Sequence, residues 1–89
     1  MREWAIYWKY YKDNNVCRLQ LLEKLLSTEQ LREEFSESDD IKVRVINEAM
    51  FSKNEELYEA TTYLIAELID IHKVIYFINK QAKIFYKNF

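Results

Sequence analysis

The C-terminal part of the chain, Lys53 to Phe89, reads KNEELYEATTYLIAELIDIHKVIYFINKQAKIFYKNF. Apolar residues recur in it at alternating steps of four and three, the spacing of a helix with one continuous apolar face. This face, the seam, consists of Leu57, Thr61, Leu64, Leu68, Ile71, Ile75, Ile78, Ala82, Phe85 and Phe89. The pattern predicts a long helix over about residues 53–87 that is the central or the dimerising element of the fold.

A helix of that length is long for a protein of 89 residues. It would span roughly 50 Å, whereas a compact domain of this size is about 30 Å across. The helix is therefore expected either to break, with Asn79 as the natural position, or to project beyond its domain. A projecting end would expose Phe85 and Phe89 unless a second chain covered them. A homodimer of coiled-coil type is the favoured interpretation, and a monomer with its helices stacked along the seam is the alternative.

The composition favours an all-α fold. Gly and Pro are both absent. A chain without glycine has few means of reaching positive φ in tight hairpins or phosphate-binding loops, and without proline nothing interrupts a helix from within. Since 49% of the residues are hydrophobic and 16% are aromatic, the chain has enough apolar material for a core. We expect one all-helical domain over residues 1–89, a small bundle of three to five helices.

Polar cap signals divide the first part of the chain into shorter helices. The predicted helices cover about residues 2–12, 16–26 and 39–51, with a turn at 13–15. Ser27 and Gln30 have the spacing of a capping box, which predicts either a further short helix or a kinked continuation of the second one. Ser52 and Glu55 have the same spacing and are expected to open the long helix.

Charge and cysteine content bear on partners and compartment. The net charge is −2, and the acidic stretch at residues 29–40 could present a binding face. The single cysteine, Cys17, cannot form an intrachain disulfide, favours a reducing compartment and is expected to be a small core residue. The most apolar run, residues 63–78, is too short and too charged to span a bilayer. We therefore expect a soluble, cytoplasmic protein.

Candidates for catalysis or metal binding are few. His72 is the single histidine and is expected to be a partly buried packing residue on the long helix. With one histidine and one cysteine, a self-contained metal site lacks ligands, and no phosphate-binding loop or hydrolase motif is present. Glu67, Asp70 and Lys73 have the spacing of a solvated charged stripe. We expect no catalytic residue, cofactor or metal site, and a protein that is not an enzyme.

Aromatic residues near the two ends of the chain are the predicted partner contacts. Trp and Tyr combine a large apolar area with a polar tip, which suits an interface or, as the alternative here, the edge of a core. The predicted partner-binding residues are Trp4, Tyr7, Trp8, Tyr11, Phe85 and Phe89.

Two functions are compatible with these patterns. The favoured one is a non-enzymatic helical module that binds another protein as an inhibitor, immunity factor or adaptor, of a size and composition compatible with a phage or mobile element. The alternative is a nucleic-acid-associated dimeric protein. Its contacts would be Lys80, Lys83 and Lys87, which alternate with aromatic residues in the C-terminal segment.

Overall fold

A computed structural model describes residues 1–69 of the protein. This part is 84% helical, with five helices and no strand within it, so the prediction of a small all-α bundle is confirmed. The helices are α1 (Arg2–Tyr10), α2 (Asn15–Ser27), α3 (Glu29–Glu37), α4 (Asp39–Met50) and α5 (residues 55–69). Of the helices in this part, none has the length and apolar content needed to cross a bilayer.

The core receives side chains from all five helices. Its buried members are Trp4 and Trp8 from α1, Leu22 and Leu25 from α2, Phe35 from α3, Val45 and Ala49 from α4, and Leu57, Ala60, Leu64 and Leu68 from α5. In the helices that contribute two or more of these residues, they follow one another at steps of three or four positions, so they project from one face. Burying each large side chain of this set contributes about 1.5–3 kcal/mol, and this burial holds the helices together.

The seam is confirmed as far as the structure describes it. Leu57, Thr61, Leu64 and Leu68 are each at most 4% exposed. Thr61, the one polar member, donates a hydrogen bond from Oγ1 to the carbonyl oxygen of Leu57 at 2.6 Å. Its hydroxyl is therefore satisfied inside the core. The rest of the seam, from Ile71 onwards, and the predicted break near Asn79 lie outside the described residues.

Two predicted helix boundaries in the first half of the chain are corrected. Helix α1 ends at Tyr10, two residues before the predicted end at Lys12. Ser27 does not cap a new helix, because it is the last residue of α2 and its hydroxyl donates to the carbonyl oxygen of Lys24. Thr28, with extended backbone angles, separates α2 from α3 and excludes a continuous kinked helix.

The start of α5 is also displaced from its predicted position. Asn54 is the capping residue, because its Oδ1 accepts the backbone N–H of Leu57 at 3.0 Å. The hydroxyl of Ser52 donates instead to the carbonyl oxygen of Ala49 at 2.7 Å, at the end of α4. Lys53, between them, has a φ of 61°, which is costly for a residue with a Cβ atom. The absence of glycine therefore leaves a strained residue in this turn.

We predict that Lys53→Gly stabilises the protein. Glycine adopts positive φ without steric cost, so the free energy of unfolding should rise by about 1 kcal/mol despite the greater entropy of the unfolded chain. Urea denaturation followed by far-UV circular dichroism measures the change. Lys53→Ala is the matched control, because it removes the same charge but keeps the Cβ atom. Equal effects of the two substitutions would show that the backbone at residue 53 is not strained.

Candidate functional site

The aromatic face of α1 is divided between the core and the surface. Trp4 and Trp8 are only 5% and 1% exposed, which favours the core position that the sequence analysis gave as the alternative to a partner contact. Tyr7 is 44% exposed and its ring stacks on that of half-buried Tyr11, with centroids 6.2 Å apart. The predicted contacts Phe85 and Phe89, and the lysines Lys80, Lys83 and Lys87, lie outside the described residues.

The two tryptophans have partners inside the bundle. Their rings stack with centroids 5.5 Å apart, and Trp4 also meets the ring of Phe35 edge to face. The indole N–H of Trp4 donates to the carbonyl oxygen of Leu21 at 3.0 Å, and that of Trp8 donates to Glu48 Oε2 at 2.8 Å. A buried indole that is both packed and hydrogen-bonded is a core residue.

Arg18, on α2, forms a buried polar network with Trp8 of α1 and Glu48 of α4. Its Nε and Nη2 donate to the carbonyl oxygen of Trp8 at 3.1 and 3.0 Å, and Nη2 also donates to Glu48 Oε2 at 3.0 Å. The guanidinium carbon lies 4.2 Å from the centroid of the Trp8 ring. These contacts join α1, α2 and α4. The sequence patterns did not predict them, although Arg18 precedes Leu22 by one helical turn and so lies on the apolar face of α2.

A groove, the acidic groove, lies between α2 and α5 in the described part. It encloses about 380 Å³ and is lined by Leu19, Glu23, Leu26, Glu56, Glu59, Ala60 and Tyr63. The α2 residues follow one another at steps of four and three, and so do the α5 residues apart from the adjacent pair Glu59 and Ala60. Each helix therefore presents one face to the groove. Among the residues that the structure describes, three carboxylates and no basic residue line the groove, and Tyr63 is 60% exposed.

The acids of the predicted binding stretch at residues 29–40 have a different position. Glu29 lies in the first turn of α3, and Asp39 and Asp40 lie in the first turn of α4. There they complement the positive end of the helix dipole. Asp39 also pairs with Lys42 at 3.2 Å. None of the residues 29–40 lines the acidic groove.

Helix α5 is more exposed outside its seam than its apolar sequence suggests. Tyr58, Tyr63 and Ile69 are about half exposed, so the part of this helix that the structure describes is buried along one side only. Glu67 is exposed, as expected for the solvated stripe. Asp70, His72 and Lys73 lie outside the described residues.

The described part contains no group of three or more His, Cys, Asp or Glu side chains that could hold a metal ion. Cys17 is half-buried in the first turn of α2 rather than in the core. Its backbone N–H donates to the Asn14 side chain that caps this helix.

In comparison with known proteins, the chain matches no family model, and neither a curated protein nor a solved structure is similar to it at a significant level. The fold belongs to the class of small all-α helical bundles.

Proposed function

We propose that this protein is a non-enzymatic interaction module that acts by binding another protein, as an inhibitor, immunity factor or adaptor. The observation that carries the proposal is the acidic groove, in which half-buried leucines and an exposed tyrosine lie beside three carboxylates. Apolar side chains in a concave surface provide binding energy, and tyrosine is frequent among the residues that dominate interfaces. The charged rim provides orientation and selectivity.

The chemistry of the groove favours a basic amphipathic helix as the partner element. Leu19 and Leu26 are two helical turns apart, so the floor of the groove is roughly 10 Å long. That length suits an element that inserts apolar side chains at i, i+3 and i+4, as helix-in-groove partners do. Lys or Arg residues flanking those anchors would pair with Glu23, Glu56 and Glu59.

Reversing the charge of the α5 side of the groove should abolish this interaction. In the double variant Glu56→Lys, Glu59→Lys, cations of the partner would face cations, and we expect at least a hundredfold loss of affinity. Tyr63→Ala should weaken binding about tenfold or more by removing an aromatic anchor. Affinity capture from cells that express the gene, followed by titration of the captured protein, measures both effects.

The matched control is the double variant Glu3→Lys, Asp13→Lys, which changes the net charge equally on exposed positions in α1 and in the turn after it, outside the groove. It should retain the captured protein at wild-type affinity. If both double variants lose the partner equally, the interaction depends on overall charge, and the groove is not the contact site. If neither loses it, the partner binds elsewhere.

Self-association and the alternative nucleic-acid function both stay predictions, because Phe85, Phe89 and the three lysines that would carry them lie outside the described residues. Because the first four members of the seam are buried within a single chain, the homodimer that we propose would have to form through the later seam residues. Cytoplasmic localisation is likewise a proposal, based on the single cysteine.

A further inference from the structure

A second cavity, the basic pocket, lies between α1, α2 and α4, away from the acidic groove. It encloses about 290 Å³. One part of its lining is apolar and the other is charged. The apolar part consists of Ala5, Trp8, Ile41 and Val45, and the charged part consists of Lys9, Lys12, Arg18, Arg44 and Glu48. Four of the protein's 13 basic residues thus meet in one cavity, although the chain as a whole carries a net charge of −2.

Glu48, the single carboxylate among the described residues of the pocket, is already engaged. Glu48 Oε2 accepts from both Arg18 Nη2 and Trp8 Nε1, so it neutralises the buried arginine. Within residues 1–69, Lys9, Lys12 and Arg44 form no ion pair. All three residues are exposed. The pocket therefore presents an excess of about three positive charges at neutral pH.

The helix dipole accounts for only part of this charge. Lys9 lies in the last turn of α1 and Lys12 just beyond it, where cations complement the negative helix end. Arg44, however, lies in the middle of α4, one turn before Glu48 and on the same face. Arg44 is therefore not at a helix end, and in the described part it forms no ion pair, although Asp40 and Glu48 lie one turn to either side of it.

We propose that the basic pocket binds the phosphoryl group of a small phosphorylated molecule between Lys9, Lys12 and Arg44. A phosphomonoester carries about −1.5 to −2 charges and three acceptor oxygens, so it can pair with all three cations at once. A single carboxylate would leave most of the excess charge unbalanced. The volume lies near the lower limit of small-ligand sites, about 300 Å³. The apolar lining, Ala5 and Ile41 above all, would contact the organic part of the ligand.

Calorimetric titration of the full chain tests this site with three probes, namely AMP, inorganic phosphate and citrate. We expect AMP to bind with 1:1 stoichiometry, inorganic phosphate to compete with it more weakly, and citrate not to compete. Equal affinity for AMP and inorganic phosphate would overturn the role of the apolar lining. Citrate binding as tightly as AMP would overturn the assignment to phosphate, as would the absence of AMP binding at about 1 mM.

Variants of the exposed cations assign the binding to the pocket. Arg44→Gln and Lys9→Gln should each weaken AMP binding about tenfold, the loss expected for one charge-assisted hydrogen bond. Lys24→Gln on α2, exposed and outside the pocket, is the matched control and should leave affinity within about twofold. Unchanged circular dichroism spectra would establish that all three variants fold.

Two results of the variant experiment would overturn the proposal. If Lys24→Gln weakens AMP binding as much as Arg44→Gln does, the anion responds to overall charge and the pocket is not its site. The second result is binding of a single-stranded oligonucleotide that Arg44→Gln weakens and with which AMP does not compete. In that case the cations belong to a nucleic-acid surface. Neither result would bear on the acidic groove, so failure here is distinguishable from failure of the proposed function.

Discussion

Replacing Trp8 by alanine is expected to lower the free energy of unfolding by about 4 kcal/mol, within the range measured for large aromatic side chains in cores. The indole is 1% exposed, stacks on Trp4 and lies against the guanidinium of Arg18. Its removal leaves a cavity and also deprives Glu48 of one of its two hydrogen-bond donors. A protein of this length has a total stability of roughly 4–13 kcal/mol, so the variant should be marginally folded or unfolded.

Urea denaturation followed by far-UV circular dichroism measures this loss without relying on tryptophan fluorescence. Tyr7→Ala, on the exposed side of the same helix, is the control and should cost less than about 1 kcal/mol. Trp8→Phe keeps a ring in the core but removes the N–H donor, and it should fall between the other two variants. A stable Trp8→Ala protein that had lost its partner would instead place the indole on a binding surface.

The contrast between Trp8 and Tyr7 shows what apolar spacing can and cannot predict. A core face and a partner-binding face require the same pattern of apolar residues, since both lie against another apolar surface. The pattern of α1 therefore predicts a helix with one aromatic side but does not say what covers that side. What covers the aromatic side of α1 depends on how α2, α3 and α4 pack around this helix. The local sequence of α1 does not contain that information.

Helix ends were less predictable than helix faces for a related reason. Ser52 and Asn54 are both good capping residues, and they compete for the same helix start. The backbone decides between them, because Ser52 hydrogen-bonds back to the end of α4 and Asn54 is left to cap α5. At the boundary between α2 and α3, Ser27 likewise hydrogen-bonds within the helix that it ends. A side-chain hydroxyl near two helices can satisfy either one.

The acidic groove and the basic pocket arise from tertiary packing and had little signal in the sequence. Glu23 belongs to α2, whereas Glu56 and Glu59 belong to α5, and only the packing of these helices brings the three carboxylates to one groove. The basic pocket similarly combines Lys9 with Arg44. Arg18 is the exception, since a cation on the apolar face of a helix is by itself a sign of a buried polar network.

The second large effect is expected for Leu64→Asp in the middle of the described seam. Leu64 is fully buried, at 0% exposure, among the other core residues of the bundle. An aspartate there would have to bury its charge or take up a proton, and either adjustment costs several kcal/mol. Because this approaches the total stability of roughly 4–13 kcal/mol, we expect loss of the cooperative unfolding transition and of the dispersed amide signals in an NMR spectrum.

Ala66→Asp is the control, since it introduces the same residue two positions further along α5 on an exposed site. It should cost about 0.5–0.7 kcal/mol, the difference in helix propensity between alanine and aspartate. The comparison also tests the proposed homodimer. A Leu64→Asp protein that stayed folded but changed its mass in sedimentation would make this part of the seam an interface between chains. Loss of folding would instead place Leu64 within the core of each bundle. Self-association would then have to depend on later seam residues such as Phe85.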